Sequence, residues 1–287
     1  MNKYKIFPNA KINIGLNVYQ KAGDGYHEID SVMSPIDLSD EMDITFYSEI
    51  GDLKISCSDK NIPTDERNIL YKAYEIFFEN SKKHKEKIEI SLTKNIPSEA
   101  GLGGGSSDAG FFLKLLNEHY GNVYNEKELE ELAMKVGSDV PFFIKNKTAR
   151  VGGKGELVEN NLKDSLILVK PLGFGVSTKD AYNSFDELDE VRYSNFEKIV
   201  ECLRNDNRKD LEKYIENGLE QGISERNADI KMFKAILNSV VPGKKFFMSG
   251  SGSTYYTFVT EIERSQIETR LRTFVDNVKI IISKTIN

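Results

Sequence analysis

The chain has 287 residues, room for one large or two ordinary domains, and 39% of them are hydrophobic, enough for a substantial core. A formal net charge of −6 excludes a broad nucleic-acid-binding surface but not a local basic pocket. Cys57 and Cys202 lack metal-ligand spacing and suit a reducing compartment, and His27, His84 and His119 stand too far apart, without cysteine partners, for zinc.

Met1 to Gly15 lacks an apolar signal core, and no stretch is long and apolar enough to span a bilayer; a cytoplasmic protein without a membrane partner is expected. In chain order, alternation predicts strands at Lys3–Phe7, Lys11–Tyr19, Glu41–Tyr47, Leu53–Cys57 and Lys87–Thr93. Helical spacing predicts helices over Asn68–Lys83, from about Ser106 to Tyr120, and over Glu126–Val136, the last ended by Gly137. Pro141 cannot continue that helix, so Ser138 and Asp139 fall in a turn. Val151–Gly155 reads as a hairpin or bend and Leu166–Val169 as a strand. Helices follow at Lys179–Leu188, Phe196–Leu203, Arg208–Leu219 and Ala228–Val240. A small α+β layer closes the chain: Phe246–Met248, a Ser249–Ser253 loop, strand Tyr255–Val259, helix Glu261–Phe274 and strand Val278–Ile282. The composition shift places a domain boundary near residue 160.

The most informative stretch is Pro97-Ser98-Glu99-Ala100-Gly101-Leu102-Gly103-Gly104-Gly105-Ser106-Ser107-Asp108. Glycine lets a backbone turn with positive φ and press against a ligand, and a helix N-terminus presents unpaired N–H groups and a positive dipole end. A predicted strand before the loop and a helix after it make this a polyphosphate cradle rather than the flexible turn such composition usually means. It is not a Walker loop, because G-x-x-x-x-G-K-[ST] is absent, and it lacks the dinucleotide spacing. Protein-kinase H-R-D and D-F-G signatures are missing as well.

Four further segments carry chemistry. On a strand, Asn9, Lys11 and Asn13 share one face, either a solvated edge or a holder of phosphate and hydroxyl groups. Gly23–Glu28 places Tyr26 and His27 after a turn, as a packed hairpin or as a ring and an edge for a base. Gly137–Pro141 sets Asp139 in a tight turn, as a helix cap or as a base for an attacking hydroxyl. Ser249–Ser253 is an ordinary turn or a second wall of the phosphate pocket.

Together these segments resemble the GHMP kinases, small-molecule kinases named for galactose, homoserine, mevalonate and phosphomevalonate substrates. Pro97–Asp108 is similar to their phosphate loop and Ser249–Ser253 to their C-terminal glycine motif. Pro8–Asn13, Asp24–His27 and Gly137–Phe143 are similar to the branch whose acceptor is a cytidine diphosphate-linked methylerythritol, phosphorylated on its 2-hydroxyl in the non-mevalonate route to isoprenoid precursors.

The resemblance implies an α+β, two-domain GHMP kinase fold: a ribosomal protein S5 domain 2-like N-terminal domain over residues 1–160 and a ferredoxin-like C-terminal domain over residues 161–287. It implies Lys11 and Asp139 as catalytic residues, and Asn13, Tyr26, His27 and Tyr182 as substrate contacts with a cytosine between the tyrosines. Pro97, Gly101, Leu102, Gly103, Gly104, Gly105, Ser106 and Ser107 would hold ATP, with Asn68 and Lys94 near the adenine. Mg²⁺ would ride on the ATP phosphates, with Ser106 or Ser107 as candidate protein ligands. Glu99 stands where relatives usually carry a small residue; a carboxylate facing ATP would repel it, so Glu99 is expected to point to solvent. The implied partner is the small-molecule substrate, with no nucleic acid and a monomeric or homodimeric state. Two other readings compete. A mevalonate-type or homoserine kinase has no base to stack on Tyr26 and Tyr182, and a non-catalytic binding protein has no need of Lys11 and Asp139.

Overall fold

The computed structural model describes all residues except 22, 24–26, 153–155 and 287, together with the side chain of Asn80. Tyr26, expected in the base pocket, therefore lies outside the described residues.

In chain order the elements are β1 (Asn2–Ile6), β2 (Asn9–Lys21), β3 (His27–Ser39), β4 (Glu41–Ile50), β5 (Leu53–Cys57), α1 (Ile69–Ser81), β6 (Glu86–Thr93), α2 (Gly104–His119), α3 (Glu126–Val136) and α4 (Val140–Lys145). There follow β7 (Ala149–Val151), β8 (Glu156–Leu157), β9 (Ser165–Pro171), α5 (Thr178–Phe185), α6 (Phe196–Arg204), α7 (Arg208–Tyr214), α8 (Gly218–Arg226), α9 (Ala228–Val240), β10 (Phe247–Met248), β11 (Tyr255–Val259), α10 (Glu261–Phe274) and β12 (Val278–Lys284). No helix among the described residues is long and apolar enough to cross a membrane.

Contacts group the chain into two compact units. One comprises Met1–Ala10, Leu38–Pro97 and Gly103–Asn146; the other comprises Lys11–Asp37, Ser98–Leu102 and Lys147–Asn287. A cut near residue 160 divides the sequence, whereas the contacts interleave its segments.

The first unit holds a sheet in the order β1-β4-β6-β5, antiparallel except for the β5–β6 pair. Alternation writes its inner face: Met42, Ile44 and Phe46 sit opposite Leu92, Ile90 and Ile88, and all six are buried. That face and the apolar stripes of α1, α2 and α3 share one core, including Ala73, Phe77, Phe112, Leu116, Leu129 and Ala133. Side chains set the helix ends. Asn68 caps α1, and Asn125 with Glu128 forms a capping box on α3.

The second unit has two sheets, β10-β11-β9-β12 and β2-β3-β7-β8. β9 is buried along its whole length and β2 over its first ten residues, so both strands are covered on two faces. β9, β11 and helices α5, α8, α9 and α10 contribute to one core around Val169, Tyr255, Phe185, Leu219, Leu237 and Leu271.

Several elements depart from the sequence expectations, among them the short helix α4 after the Asp139 turn, where Pro141 sits in the first helical turn rather than ending a helix. β3 is a thirteen-residue strand where none was foreseen: Val32, Met33, Ser34, Pro35 and Ile36 are buried in a row, so burial on both faces erases the alternation. The expected helix Arg208–Leu219 is two helices, because Ile215 and Asn217 are extended and Asn217 caps α8.

Candidate functional site

In the first unit the chemistry gathers around the start of α2. Gly103 takes a left-handed conformation at the N-cap, with no side-chain cap and no acid in the first turn. The first intrahelical donor here is Ser107, whose N–H reaches Gly103 O at 2.8 Å. The N–H groups of Gly104, Gly105 and Ser106 precede it and have no helical acceptor, while all three residues keep some exposure. An open helix end of this kind attracts an anion.

Ser107 is fully buried and donates its hydroxyl to Asn9 O at 2.6 Å. Ser106 is partly exposed, and no described partner claims its hydroxyl. Of the two hydroxyls, that of Ser107 is spent on the backbone and that of Ser106 is the more accessible. Among the described residues no group of three or more His, Cys, Asp or Glu is placed to hold a metal, so phosphate oxygens and water would supply most ligands.

Lys94 is more deeply placed than its expected role implies. Its ammonium pairs with Asp40 and, at 2.9 Å, with Asp108, and all three side chains are buried. Asp40 also accepts from the N–H groups of Asn95 and Ile96. The Lys94 ammonium lies 3.3 Å from where a Cβ on Gly104 would stand, directly behind the first residue of α2. Burial pushes the Asp108 carboxyl up to about 7, with Asp40 adding to the rise and Lys94 opposing it. Asp40 and Asp108 were not singled out in the sequence, although Asp108 closes the glycine-rich stretch.

Asn68 spends its amide on structure, accepting from Leu70 N and donating to Pro63 O. Pro97 is half-buried at the end of the first unit's second segment. Asp139 occupies the N-cap position of α4, yet its side chain makes no cap hydrogen bond. Its carboxylate is not used in starting the helix that follows, as the capping reading required.

In the second unit Lys11 and Asn13 share one face of β2, as the alternation predicted, and both are buried to 3% exposure. The Lys11 ammonium donates to Asn13 Oδ1 at 2.6 Å. The solvated-edge reading of this strand is thus excluded. Lys11 N–H donates to Leu102 O, which ties β2 to the first half of the glycine-rich loop.

That half-loop is seated on Ser249–Ser253. Ser249 Oγ donates to Gly101 O at 2.9 Å, and Thr254 N–H reaches Ala100 O at 3.4 Å. Gly101 has φ +71, and a Cβ there would stand 1.9 Å from Ser249 O. The two glycine segments, far apart in sequence, are brought together. Beneath them Lys170 donates to Ser253 Oγ at 2.7 Å; burial pushes this ammonium's pKa down, against the pull of Glu99. Glu99 is exposed, as expected, with its carboxylate beside Gly175. Asn217, missed in the sequence, anchors the same loop from behind. Its amide donates to both Met248 O and Gly250 O at 2.9 Å while its oxygen accepts from Glu220 N.

The third cluster pairs His27 with α5. The His27 ring stacks on Tyr182 at 5.1 Å between centroids and 25° between planes, and meets Phe185 edge-on. Nδ1 faces Tyr19 O at 2.7 Å, so it carries a proton, and Nε2 lies 3.1 Å from Asp186. Tyr182 on α5 and its C-cap Asp186 are one turn apart, which puts ring and carboxylate on the same side. His27 and Tyr182, expected at the edge and on one face of a base, stack directly on each other; Asp186 was not foreseen.

The fold, the uncapped helix behind a glycine-rich loop and the second glycine loop define a GHMP kinase, a small-molecule phosphotransferase. The GHMP kinases N terminal domain family matches residues 68–147. A curated 4-diphosphocytidyl-2-C-methyl-D-erythritol kinase from Fusobacterium nucleatum subsp. nucleatum is 78% identical over 290 residues, covering 100% of this chain and 99% of that protein. One from Clostridium beijerinckii is 36% identical over 92% of this chain and 93% of its own length. The chain belongs to the 4-diphosphocytidyl-2-C-methyl-D-erythritol kinase family. A crystal structure of a 4-(cytidine 5'-diphospho)-2C-methyl-D-erythritol kinase aligns with TM-score 0.78 at 26% identity, over 98% of this chain and 99% of that one. A homoserine kinase from Cytophaga hutchinsonii shares the fold, with TM-score 0.78 at 19% identity over 100% of this chain and 96% of its own. Membership in a kinase family implies ATP as the phosphoryl donor.

Proposed function

We propose that the protein transfers the γ-phosphoryl group of ATP to the 2-hydroxyl of 4-diphosphocytidyl-2-C-methyl-D-erythritol, in the cytoplasm, as a step of the non-mevalonate isoprenoid precursor route. The observation that carries this reading is the full-length 78% identity to a kinase of that name. The working form is a monomer or homodimer.

In this reading the open N–H groups of Gly104, Gly105 and Ser106 receive ATP phosphates, with Pro97, Gly101, Leu102, Gly103 and Ser107 shaping the loop. The Ser106 hydroxyl, with phosphate oxygens and water, would hold Mg²⁺, which would supply charge neutralisation for the phosphates. Asn68 and Lys94 lie toward the adenine, Lys94 acting through its position behind Gly104. An alkyl hydroxyl is too weak an acid to ionise near neutral pH, so a base must take its proton as the bond to phosphorus forms. Asp139 is that base, its carboxylate uncommitted to helix capping. Lys11 steadies negative charge on the transferring group, and Asn13 holds the acceptor. Tyr182 and Tyr26 would stack on the cytosine and His27 would pair with its edge. The division into family domains at 1–160 and 161–287 is part of the same proposal.

A coupled ADP-release assay with ATP, Mg²⁺ and three acceptors tests it. Turnover is expected with the cytidine compound and not with mevalonate or homoserine. Turnover with mevalonate or homoserine alone overturns the acceptor, and turnover with none overturns catalysis.

A further inference from the structure

We propose that Ser31 is a positioning residue for phosphoryl transfer, the group that orients the Asn13 amide so that its oxygen holds the Lys11 ammonium. The proposal rests on the kinase reading for Lys11 but not on which acceptor is used.

The argument is one of hydrogen-bond direction. Gly15 O is a backbone carbonyl and only accepts; Ser31 Oγ lies 2.7 Å from it, so the Ser31 proton points there. Ser31 Oγ is then an acceptor toward Asn13, 2.8 Å away, and Asn13 must present its NH₂ group. The Asn13 oxygen is thereby turned to the opposite side, where Lys11 Nζ, a pure donor, meets it at 2.6 Å. Each end of the chain has one possible polarity, so the sense of the amide between them is fixed. The three side chains are buried to 3%, 3% and 0% exposure for Lys11, Asn13 and Ser31, and water does not substitute easily for a missing member.

Other contacts at Asn13 fix its backbone and leave the amide alone. Tyr256 donates to Asn13 O at 2.8 Å, and Asn13 N–H faces Ser249 Oγ at 3.4 Å. Among the described residues, Ser31 is the hydrogen-bonded partner that anchors the NH₂ end of the amide, as Lys11 holds its oxygen end. Without the hydroxyl, the NH₂ end loses its acceptor, and the amide is held only by the Lys11 ammonium, so the pair is no longer braced and Lys11 can shift with it. The second Nδ2 hydrogen, not spent on Ser31, is what Asn13 keeps for an oxygen of the substrate.

Three variants test this. Ser31→Ala removes the hydroxyl. Ser31→Cys keeps a side chain of similar size but offers only a weak hydrogen-bonding atom. Ser31→Thr retains the hydroxyl. Ala and Cys are expected to lower kcat roughly 10- to 100-fold, the scale of a small misplacement of a reacting group, with KM for ATP within about twofold; Thr restores kcat to within about threefold. Independently of any acceptor, the Asn13 side-chain NH₂ protons should exchange with solvent faster in the Ala and Cys variants than in the wild type and the Thr variant, read by NMR at equal global stability. Unchanged exchange in Ser31→Cys overturns the relay whatever the substrate proves to be. Faster exchange with undiminished kcat overturns the positioning role. Loss of activity and of thermal stability together in all three variants, Thr included, assigns Ser31 to packing alone. Should the wild type prove inactive on the cytidine acceptor, the exchange data still decide the relay.

Discussion

Asp139 stands where an aspartate would ordinarily cap a helix, and α4 begins without its help. As the proposed base, Asp139 is tested by Asp139→Asn, which should lower kcat by about 10²–10⁴ while the helix, which does not use this side chain as a cap, survives. A variant with wild-type turnover and a normal circular dichroism spectrum would remove Asp139 from the chemistry. Asp108 is the other informative acid. Its folded-state carboxyl is held up at about 7, first by burial, against about 3.9 in an unfolded chain. Between about pH 4 and 7 the folded state therefore keeps a proton that the unfolded state has lost, so this group's contribution to stability declines as pH rises through that window and is level above it. Asp108→Asn should flatten that part of a melting-temperature profile; a profile that falls as steeply in the variant as in the wild type would show the proton to sit elsewhere. The facing charges are Lys94 and Asp40, both retained in the variant.

At the scale of elements, the glycine-rich loop was legible because its composition is extreme and its flanks are periodic. α3, α9 and α10 were legible to the residue for a similar reason, each having a one-sided apolar pattern that starts at a capping residue, and β11 because its short aromatic and β-branched run lies between a Ser/Gly loop and the Thr260 cap. β3 was invisible because burial on both faces removes the pattern that announces a strand. The break between α7 and α8 was marked by Asn217-Gly218, a turn-forming pair inside a helical pattern, but what imposes the break is distant: the amide of Asn217 holds two carbonyls of the Met248–Gly250 segment. Asn217→Asp keeps the cap on α8 but aims a carboxylate at those carbonyls, and should lose about 2–4 kcal/mol in urea unfolding despite aspartate's merit as a cap. A loss under about 0.5 kcal/mol would mean the loop is held by other bonds. Gly101→Ala is expected to be as severe, about 2–4 kcal/mol, because positive φ and a 1.9 Å approach to Ser249 O leave no space for a methyl group. Gly105, where an added Cβ finds its nearest neighbour at 3.8 Å, is the matched control.

Across the whole molecule, the functional residues were legible in groups but not in their partners. Lys11 and Asn13 share a strand face as the alternation suggested, whereas Ser31 completes that group from a strand, Asp186 joins His27 and Tyr182 from a helix end, and Asp40 joins Lys94 from the link between two strands, none of them in a motif. A hydroxyl or carboxylate that orients another side chain leaves no spacing to read. Base recognition is tested at this scale, because it distinguishes one family member from another. Tyr182→Ala should weaken binding of the cytidine substrate by roughly 5- to 150-fold, the equivalent of about 1–3 kcal/mol of stacking, and leave a non-hydrolysable ATP analogue unaffected. Equal weakening of both ligands in calorimetry would move the base elsewhere. The interleaving of the two units has one more consequence, for synthesis of the chain. Every segment of the first unit has been made once Asn146 is joined, so that unit can close on a ribosome still translating. Lys11–Asp37 has been made long before but belongs with Lys147–Asn287, and these two early strands must wait, unpartnered by their later sheet neighbours, through more than a hundred further residues. A nascent chain arrested near residue 200 should accordingly resist protease across 38–146 and be cut within 11–37, which makes that early segment the natural client of whatever holds unfinished chains soluble.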